Sequence, residues 1–168
     1  NILHHTYTNI THVDEDIEPR LKMRWSPFFK WHPVQKHQHW YAFLAYSLAT
    51  LSWVLMKDYK QFIAYSKNGV SKATKKQYYW DLFKLIFFKV IYIIYMLVIP
   101  IAVLGYSAGL IIGGFLIMHA IGGFVLSTVF QLAHVVEDAE FPMPNEKGEI
   151  ENEWAIHQLQ TTANFGHK

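Results

Sequence analysis

The sequence predicts an all-α integral membrane protein, a helical hairpin joined to a cytoplasmic helical face that carries histidines. Residues 85–131 contain one formal charge, Lys89, whereas the flanking segments hold nearly all the acidic and basic residues. Two apolar stretches in this part are long enough to cross a ~30 Å hydrocarbon core at about 1.5 Å per residue. Of the ten histidines, only His119 lies within residues 85–131.

Residues 1–40 are polar, and three prolines, Pro19, Pro27 and Pro33, predict short helices and loops there. Residues 40–56 are 17 uncharged residues, at the lower length limit for a span. The mixed segment 57–84 has the basic and aromatic residues typical of a membrane interface. Within it, Asn68-Gly69 predicts a turn, and a basic cluster suits anionic headgroups: Lys67, Lys72, Lys75 and Lys76.

The predicted hairpin begins with a span over Leu85–Leu104, in which Pro100 introduces a kink. Gly105-Tyr106-Ser107 forms the connection, and the second span runs from Ala108 to about Leu132. Four glycines in the second span allow a neighbouring helix to approach closely: Gly113, Gly114, Gly122 and Gly123.

Composition excludes several classes of protein. The absence of cysteine excludes disulfides, thiolate zinc sites and cysteine-held iron-sulfur clusters within this chain. The net charge of +2 is too small and scattered for nucleic-acid binding. The chain opens on Asn1 with no initiator Met or signal segment, so we expect it to be an internal fragment.

Histidine positions provide the candidate metal ligands. The adjacent pair His4-His5 points in two directions on a helix and can serve two metal ions, although a lone pair also fits a solvated segment. His134 follows the long apolar run, where a membrane helix emerges. With Gln131 and Glu137 one turn to either side, it predicts a ligand supported by hydrogen-bonding neighbours. The alternative for His134 is an ordinary interfacial histidine.

The remaining histidines carry weaker signals. For His157, spacing favours a surface helix with Trp154, Ile156 and Leu159 packed inward. His119 lies near the middle of the second span, where a polar group is costly unless paired, so we expect a hydrogen bond to a neighbouring helix or a pocket. Three interfacial histidines are interpreted as structural: His32, His37 and His39.

Five segments, in order and at similar spacing, resemble bacterial membrane fatty-acid desaturases of the acyl-CoA and front-end type over essentially the whole chain. They are HHTYTN, VDEDIEPRLKMRWSP, HWYAFLAYSLATLSWVLMKDYKQF, QLAHVVEDAEFP and WAIHQLQTTANF. In that family three histidine boxes on the cytoplasmic side hold two irons. His4 and His5 match the final pair of the second box. Its leading histidine would fall on Asn1 or, as we prefer, just before it, and the first and third boxes would lie outside this chain.

The resemblance implies a set of metal ligands. His134 matches a further iron ligand at the end of the last membrane helix, with Gln131 behind it, and His157 is a possible ligand or substrate-channel residue. The site residues are therefore His4, His5, His134 and His157, supported by Gln131 and Glu137. The cofactor implied is a pair of non-haem iron ions.

The activity implied is O₂-dependent introduction of a double bond into an acyl chain. The substrate would be a fatty acyl-CoA or acyl-lipid, and the electron donor a ferredoxin or a cytochrome b5-type protein. Three alternatives remain: a membrane hydroxylase of the same superfamily, a non-catalytic haem-binding membrane protein, or a histidine-lined transporter. We expect the isolated fragment to be inactive, because it holds a minority of the ligands.

Within a partial desaturase domain over 1–168, we predict three regions. Residues 1–84 are cytoplasmic or interfacial, 85–132 form two transmembrane helices, and 133–168 are cytoplasmic and lead to the missing third box. His4-His5 and His134 can share a metal site only if an even number of crossings separates them. Residues 40–56 must therefore not cross, and we expect a helix in the interface or under the cytoplasmic region.

Overall fold

Helices form all the regular structure in the part of the chain that the computed structural model describes, residues 2–19, 22–67, 69, 71, 73–150 and 152–164. No strand occurs in these ranges, which confirms the predicted all-α class. The helices are α1 (Ile2–Thr6), a 3₁₀ helix (Pro33–His37), α2 (Gln38–Ser47), α3 (Ala49–Ser52), a π-helical turn (Trp53–Lys57), α4 (Asp58–Lys67), α5 (Lys75–Ile93), a π-helical stretch (Ile94–Val103), α6 (Ala108–His134) and α7 (Trp154–Gln160).

Two of these helices are long and apolar enough to cross a membrane. One is α5 with its π-helical continuation, Lys75–Val103, and the other is α6. The first begins well before the predicted start at Leu85, because the Thr74 side chain caps it by accepting a hydrogen bond from the Gln77 amide at 3.3 Å. No residue of α5 is buried against the protein, as expected for a helix that faces lipid. The predicted hairpin is thus present.

The turn between the two long helices follows from local chemistry. Pro100 cannot donate a backbone hydrogen bond, and the helix around it is widened to π geometry. Gly105 has φ +70°, a left-handed conformation that favours glycine, and Tyr106 N donates to Pro100 O at 3.0 Å. The predicted Asn68-Gly69 turn is described at Gly69 alone, with φ +69°. Asn68 lies outside the described residues, and so does Lys72, one member of the basic cluster.

The chain forms two compact units, one comprising Asn1–Ala45 with Leu126–Lys168 and the other Tyr46–Val125. In the second unit, close packing at Gly123 brings its helix against the backbone of residues 46 and 47. A Cβ atom at Gly123 would lie 2.7 Å from Tyr46 O and 2.8 Å from Ser47 O. Of the four glycines predicted to admit a neighbour, Gly123 alone has such contacts; Gly113, Gly114 and Gly122 have nothing within 4 Å.

A chain of hydrogen bonds surrounds His119 in the same unit. Thr50 Oγ1 donates its only proton to His119 O at 2.8 Å, so His119 Nδ1, 3.1 Å away, must donate to Thr50 Oγ1. The Nε2 atom is then the acceptor for the Tyr92 hydroxyl at 2.9 Å. His119 is 6% exposed and has a partner for both ring nitrogens, which confirms the expected hydrogen bond to a neighbouring helix.

Lys89, the lone charge of the apolar half, is also paired within this unit. Its ammonium group forms an ion pair with Asp58 and donates to Trp53 O at 3.2 Å. Pairing lowers the cost of placing a charge in an apolar helix. Nearer the start of α5, the rings of Phe62 and Tyr78 lie 4.9 Å apart.

The other unit is held together by loops with a small mixed core. Four apolar side chains are buried in its N-terminal part, Ile10, Ile17, Met23 and Phe29. Buried polar residues accompany them, and the hydroxyls of Thr11 and Ser26 bond to each other at 2.8 Å. This unit contains every predicted metal ligand.

Candidate metal centre

Helix α1 presents the adjacent histidines in different environments. His4 is buried, with 7% exposure, whereas His5 is exposed, and their ring centroids are 5.1 Å apart. The helix is only five residues long, and Thr8 Oγ1 extends its bonding by donating to His4 O at 2.7 Å. Successive residues on a helix point about 100° apart, so one histidine faces inward and the next outward.

The buried carboxylate of Asp14 fixes the His4 ring. His4 Nδ1 lies 3.0 Å from both carboxylate oxygens of Asp14, which is 0% exposed. Since a carboxylate only accepts, Nδ1 carries a proton, and in the neutral ring Nε2 keeps its lone pair. The hydrogen bond that Nδ1 donates to Asp14 raises the pKa of His4 above its ordinary value, partly opposed by burial. His4 Nε2 is buried with no partner among the described residues.

Asp14 is itself held rigidly by the backbone. It accepts hydrogen bonds from Asn9 N at 2.9 Å and Asp16 N at 3.0 Å. His4, Asp14 and Asp16 also offer ligand atoms within 4.8 Å of one another. Because the histidine atom nearest these carboxylates is the protonated Nδ1, we assign Asp14 to orienting His4 for a metal at Nε2, as carboxylates do behind ligating histidines.

His134, the last residue of α6, lies against His4. Their ring centroids are 4.9 Å apart and nearly perpendicular. His134 Nδ1 is 3.2 Å from Thr161 O and 3.4 Å from Thr162 Oγ1. A carbonyl oxygen only accepts, so Nδ1 is protonated and Nε2 is available. Rings this close can approach one metal ion, since a metal–nitrogen bond is about 2 Å long.

Asn9 joins the segments that carry these histidines, and the sequence gave no specific signal for it beyond its place in HHTYTN. Its Nδ2 group lies within hydrogen-bonding distance of three backbone carbonyls: His134 O at 2.8 Å, Glu140 O at 3.2 Å and Thr161 O at 3.2 Å. Asn9 is 0% exposed and has φ +60°, a strained conformation that asparagine tolerates better than most residues. It connects the N-terminal loop with the segments after α6 and α7.

His157 points inward, contrary to the surface helix favoured by spacing. It is 3% exposed, whereas the residues expected inside are exposed: Trp154 61%, Ile156 47% and Leu159 80%. Both His157 ring nitrogens are buried without a partner among the described residues. The reason is tertiary: Ala163 N donates to Ala133 O at 2.7 Å and Glu140 N to Gln160 O at 2.8 Å, which fix the segment beside the end of α6.

Other unpaired polar atoms occur in the same unit. Gln131 Oε1, Thr128 Oγ1 and Gln158 Nε2 are buried without partners in the described chain. An unsatisfied buried polar atom costs about 1–3 kcal/mol, so several together indicate groups prepared for a ligand. Glu137 differs: α6 ends at His134 and Glu137 is exposed beyond it, so the predicted shared helix face does not extend that far.

These donors fit a metal ion of intermediate softness. Neutral imidazole nitrogens suit iron, copper, nickel and zinc, and the described part of the chain brings together His4, His5, His134 and His157 in one unit. The partnerless nitrogens of His4 and His157 are the strongest sign of fit, since buried imidazoles ordinarily find a hydrogen bond. The chain therefore belongs to a class of all-helical proteins with two helices that could span a membrane and a group of histidines that could hold a metal ion.

The chain belongs to the fatty acid desaturase family, which it matches over residues 2–168. It is 34% identical over 165 residues to the sn-1 linoleoyl-lipid 6-desaturase of Arthrospira platensis, covering 98% of this chain and 44% of the relative. The enzyme of the same name from Synechocystis is 34% identical over 167 residues, with 98% and 45% covered.

A third relative, Delta(5) fatty acid desaturase A of Dictyostelium discoideum, is 32% identical over 173 residues, with 98% and 36% covered. The chain thus spans less than half the length of these relatives. No solved structure matches. Membership confirms the resemblance drawn from the sequence segments.

Proposed function

We propose that this chain is part of an acyl-lipid desaturase that introduces a double bond into a fatty acyl chain. Its family and the names of its relatives support that activity. The observation that carries the proposal is that buried nitrogens of His4, whose ring lies against that of His134, and of His157 have no partner among the described residues. A structural histidine cluster would have satisfied these atoms internally.

The proposed cofactor is a pair of non-haem iron ions, held by His4, His5, His134 and His157 together with ligands outside this chain. Bound iron would supply O₂-dependent oxidation of an unactivated C–H bond. The protein's own task is orientation. Asp14 holds the proton on Nδ1 of His4, and Thr161 O holds it on Nδ1 of His134, so each ring keeps its Nε2 lone pair. Gln131 supports the site with its buried oxygen.

The proposed substrate is an acyl chain esterified to a lipid. The names of the relatives, which include linoleoyl-lipid and acyl-lipid desaturases, favour this over acyl-CoA. The reaction also requires electrons from outside the chain, and a ferredoxin or a cytochrome b5-type protein is the proposed donor. The described residues contain no cysteine that could hold an iron-sulfur cluster.

The proposed topology has two crossings, with the metal centre on the cytoplasmic side and Lys67, Lys75 and Lys76 inside. Contacts in the Tyr46–Val125 unit support a segment that returns instead of crossing. Thr50 contacts His119, a partner of Tyr92, whereas Asp58 contacts Lys89 and Phe62 contacts Tyr78.

Beyond Thr50, the partners of this segment on α5 therefore lie progressively nearer its start at Lys75. The segment dips toward the middle of the long helices and comes back, which preserves the even number of crossings. This arrangement replaces the helix in the interface that we expected, because Thr50 reaches His119 well inside α6. Single cysteines at Lys60, Ser107 and Glu146 in intact cells test it. Only the Ser107 position should react with an impermeant reagent, and separate labelling of Lys60 and Glu146 would contradict it.

The function is tested on the full-length protein purified from a host that supplies lipid substrate. Iron should approach two ions per chain with no acid-labile sulfide, and mass spectrometry of the host lipids should show a new double bond. A hydroxylated product would assign the related hydroxylase instead. A Soret band would assign haem, and the absence of any bound metal would contradict the proposal.

A further inference from the structure

A cavity in the Asn1–Ala45 part of the chain is lined by none of the proposed iron ligands. Its volume is about 520 Å³, within the usual range for small-ligand pockets. Four basic or titratable side chains line it, His12, Lys22, Lys30 and His32, together with the aromatic rings of Phe28 and Phe29. This combination of cations and aromatic surface is unrelated to metal binding.

Long-range hydrogen bonds build the cavity walls. Gln35 accepts from His32 N at 2.8 Å through Oε1 and donates to Lys22 O at 3.1 Å through Nε2. Tyr41 OH donates to the same Lys22 carbonyl at 3.2 Å. Phe29, which is 8% exposed, forms a buried wall and contacts the His12 ring edge-on at 5.2 Å. These hydrogen bonds form a frame that fixes the backbone of Lys22.

Two wall residues have strained backbones. His12 has φ +68° and Lys22 φ +60°, and apart from Asn9 at the metal centre they are the only described non-glycine residues with positive φ. Such conformations cost of order 1–3 kcal/mol and cluster at functional sites. Here the strain occurs at two residues that line the basic cavity.

The charge of the cavity favours an anion. Lys22 and Lys30 contribute two permanent positive charges, and the carboxylate recorded beside the lining residues is Glu18, 3.5 Å from His12 Nδ1. Arg24 does not line the cavity, and its guanidinium, which keeps its positive charge, donates to Phe29 O at 2.9 Å and to Pro27 O. The net charge is positive even with both histidines neutral.

Exposed apolar side chains in the cavity and next to its lining residues in the chain favour a lipid over a soluble anion. Phe28 lines the cavity and is 53% exposed, whereas Trp31, between the lining residues Lys30 and His32, is 54% exposed and Val34 in the following 3₁₀ helix is 41% exposed. Aromatic residues beside lysines are typical of the membrane–water boundary, where lysine ammonium groups reach lipid phosphates. We propose that this cavity binds the phosphate headgroup of an anionic glycerophospholipid, with Phe28 and Trp31 against the start of its acyl chains.

The test uses the full-length protein in a neutral detergent, titrated with short-chain dioctanoyl phosphatidylglycerol below its micelle concentration. Dioctanoyl phosphatidylcholine and inorganic phosphate are the comparison probes. We expect saturable binding of phosphatidylglycerol that is stronger than binding of either comparison. Equal binding of phosphatidylcholine would show that the headgroup charge does not contribute to binding. Equal binding of inorganic phosphate would show that the cavity binds a free anion. Either result overturns the proposal.

Paired substitutions locate the binding. Lys22→Gln with Lys30→Gln should weaken phosphatidylglycerol binding by about tenfold or more, since each lysine near an anionic headgroup contributes measurably. Lys22→Arg with Lys30→Arg should retain it, which shows that the frame is intact. The matched control, Lys60→Gln with Lys147→Gln, also removes two exposed lysines and should change binding little.

Phe28→Ser with Trp31→Ser should weaken phosphatidylglycerol binding while leaving the weak binding of inorganic phosphate unchanged. An equal loss in the lysine pair and its control would show that the effect is only net charge. If the Lys22 and Lys30 changes spare phosphatidylglycerol but weaken binding of an acidic electron-donor protein, the cavity is a protein-docking surface and the lipid proposal fails.

Discussion

The buried histidines of the two units differ in their hydrogen bonding. His119 has a partner on both ring nitrogens, through Thr50 and Tyr92. His4 has a partner on one nitrogen only, and His157 has none among the described residues. All three are less than 8% exposed, so burial alone does not distinguish them.

The difference shows what identifies a candidate ligand. A buried imidazole whose nitrogens are all bonded has already recovered the cost of leaving water, and binding a metal would break those bonds. An imidazole with one nitrogen held by a carboxylate and the other empty is oriented but unsatisfied. His4 belongs to the second type and His119 to the first, which favours a structural role for His119 and supports the proposal that His4 is a metal ligand.

The largest expected effect is from His134→Ala. Removing a proposed ligand should lower desaturation by more than about 100-fold and reduce the iron content of the full-length protein, with little loss of folded protein. Lipid analysis and metal analysis of the same preparation measure both. His37→Ala is the control, as an exposed histidine outside the cluster, and should leave activity largely intact. Equal losses in the two variants would show that the ligand set is misassigned.

Asp14→Asn is expected to be smaller in effect because it removes no ligand. Without the carboxylate, the proton of His4 is no longer held on Nδ1, so metal binding should weaken by about 10–100-fold. Titrating metal-depleted protein with Co²⁺ and following its visible absorption measures this without relying on activity. Asp81→Asn, a carboxylate exchange in the other unit at an exposed ion pair with Lys84, is the control. An unchanged Co²⁺ affinity in Asp14→Asn would rule out the orienting role.

Gly123→Ala tests the tight packing in the unit that contains His119. The new Cβ would meet backbone oxygens at 2.7 and 2.8 Å, which cannot rotate away, so the expected loss of stability is about 1–3 kcal/mol. Gly122→Ala is the matched control: nothing lies within 4 Å, and alanine favours the helix by about 0.5–1 kcal/mol. Thermal unfolding in detergent should therefore shift in opposite directions. Shifts of the same sign would contradict the described packing.

Tyr92→Phe is expected to have the smallest effect. It removes the hydroxyl that donates to His119 Nε2 and leaves that nitrogen unpaired, at a cost of about 1 kcal/mol. The melting temperature should fall by a few degrees, whereas iron per folded chain should stay constant. The control is Tyr95→Phe. Tyr95 is an exposed tyrosine in the π-helical stretch that continues α5, and its substitution should change neither the melting temperature nor the iron content. Loss of iron in Tyr92→Phe would show that the hydrogen bonds of His119 affect metal binding, which would contradict its separate structural role.

Sequence patterns alone were sufficient for the helical class, the apolar hairpin and the resemblance to desaturases. The apolar run in which Lys89 is the one formal charge requires helices, because backbone groups without hydrogen bonds are too costly in lipid. Local signals also located the turn at Gly105, and the resemblance to desaturases implied that His4, His5 and His134 belong to one site. They were less reliable for the ends of helices, because the first long helix begins at the Thr74 cap, well before the apolar run that predicted it.

Only the tertiary structure decided which nitrogens are free. Asp14 lies ten residues from His4 and Thr161 lies 27 from His134, and neither distance follows from helical periodicity. His157 is inside because backbone bonds from residues 140 and 163 fix its segment, overriding the apolar residues that suggested the opposite orientation. The sequence determines that a histidine, His134, follows the second long apolar run. Which imidazole is satisfied and which remains open for a metal depends on partners brought together by folding, because a hydrogen bond is decided by atoms about 3 Å apart and not by their separation along the chain.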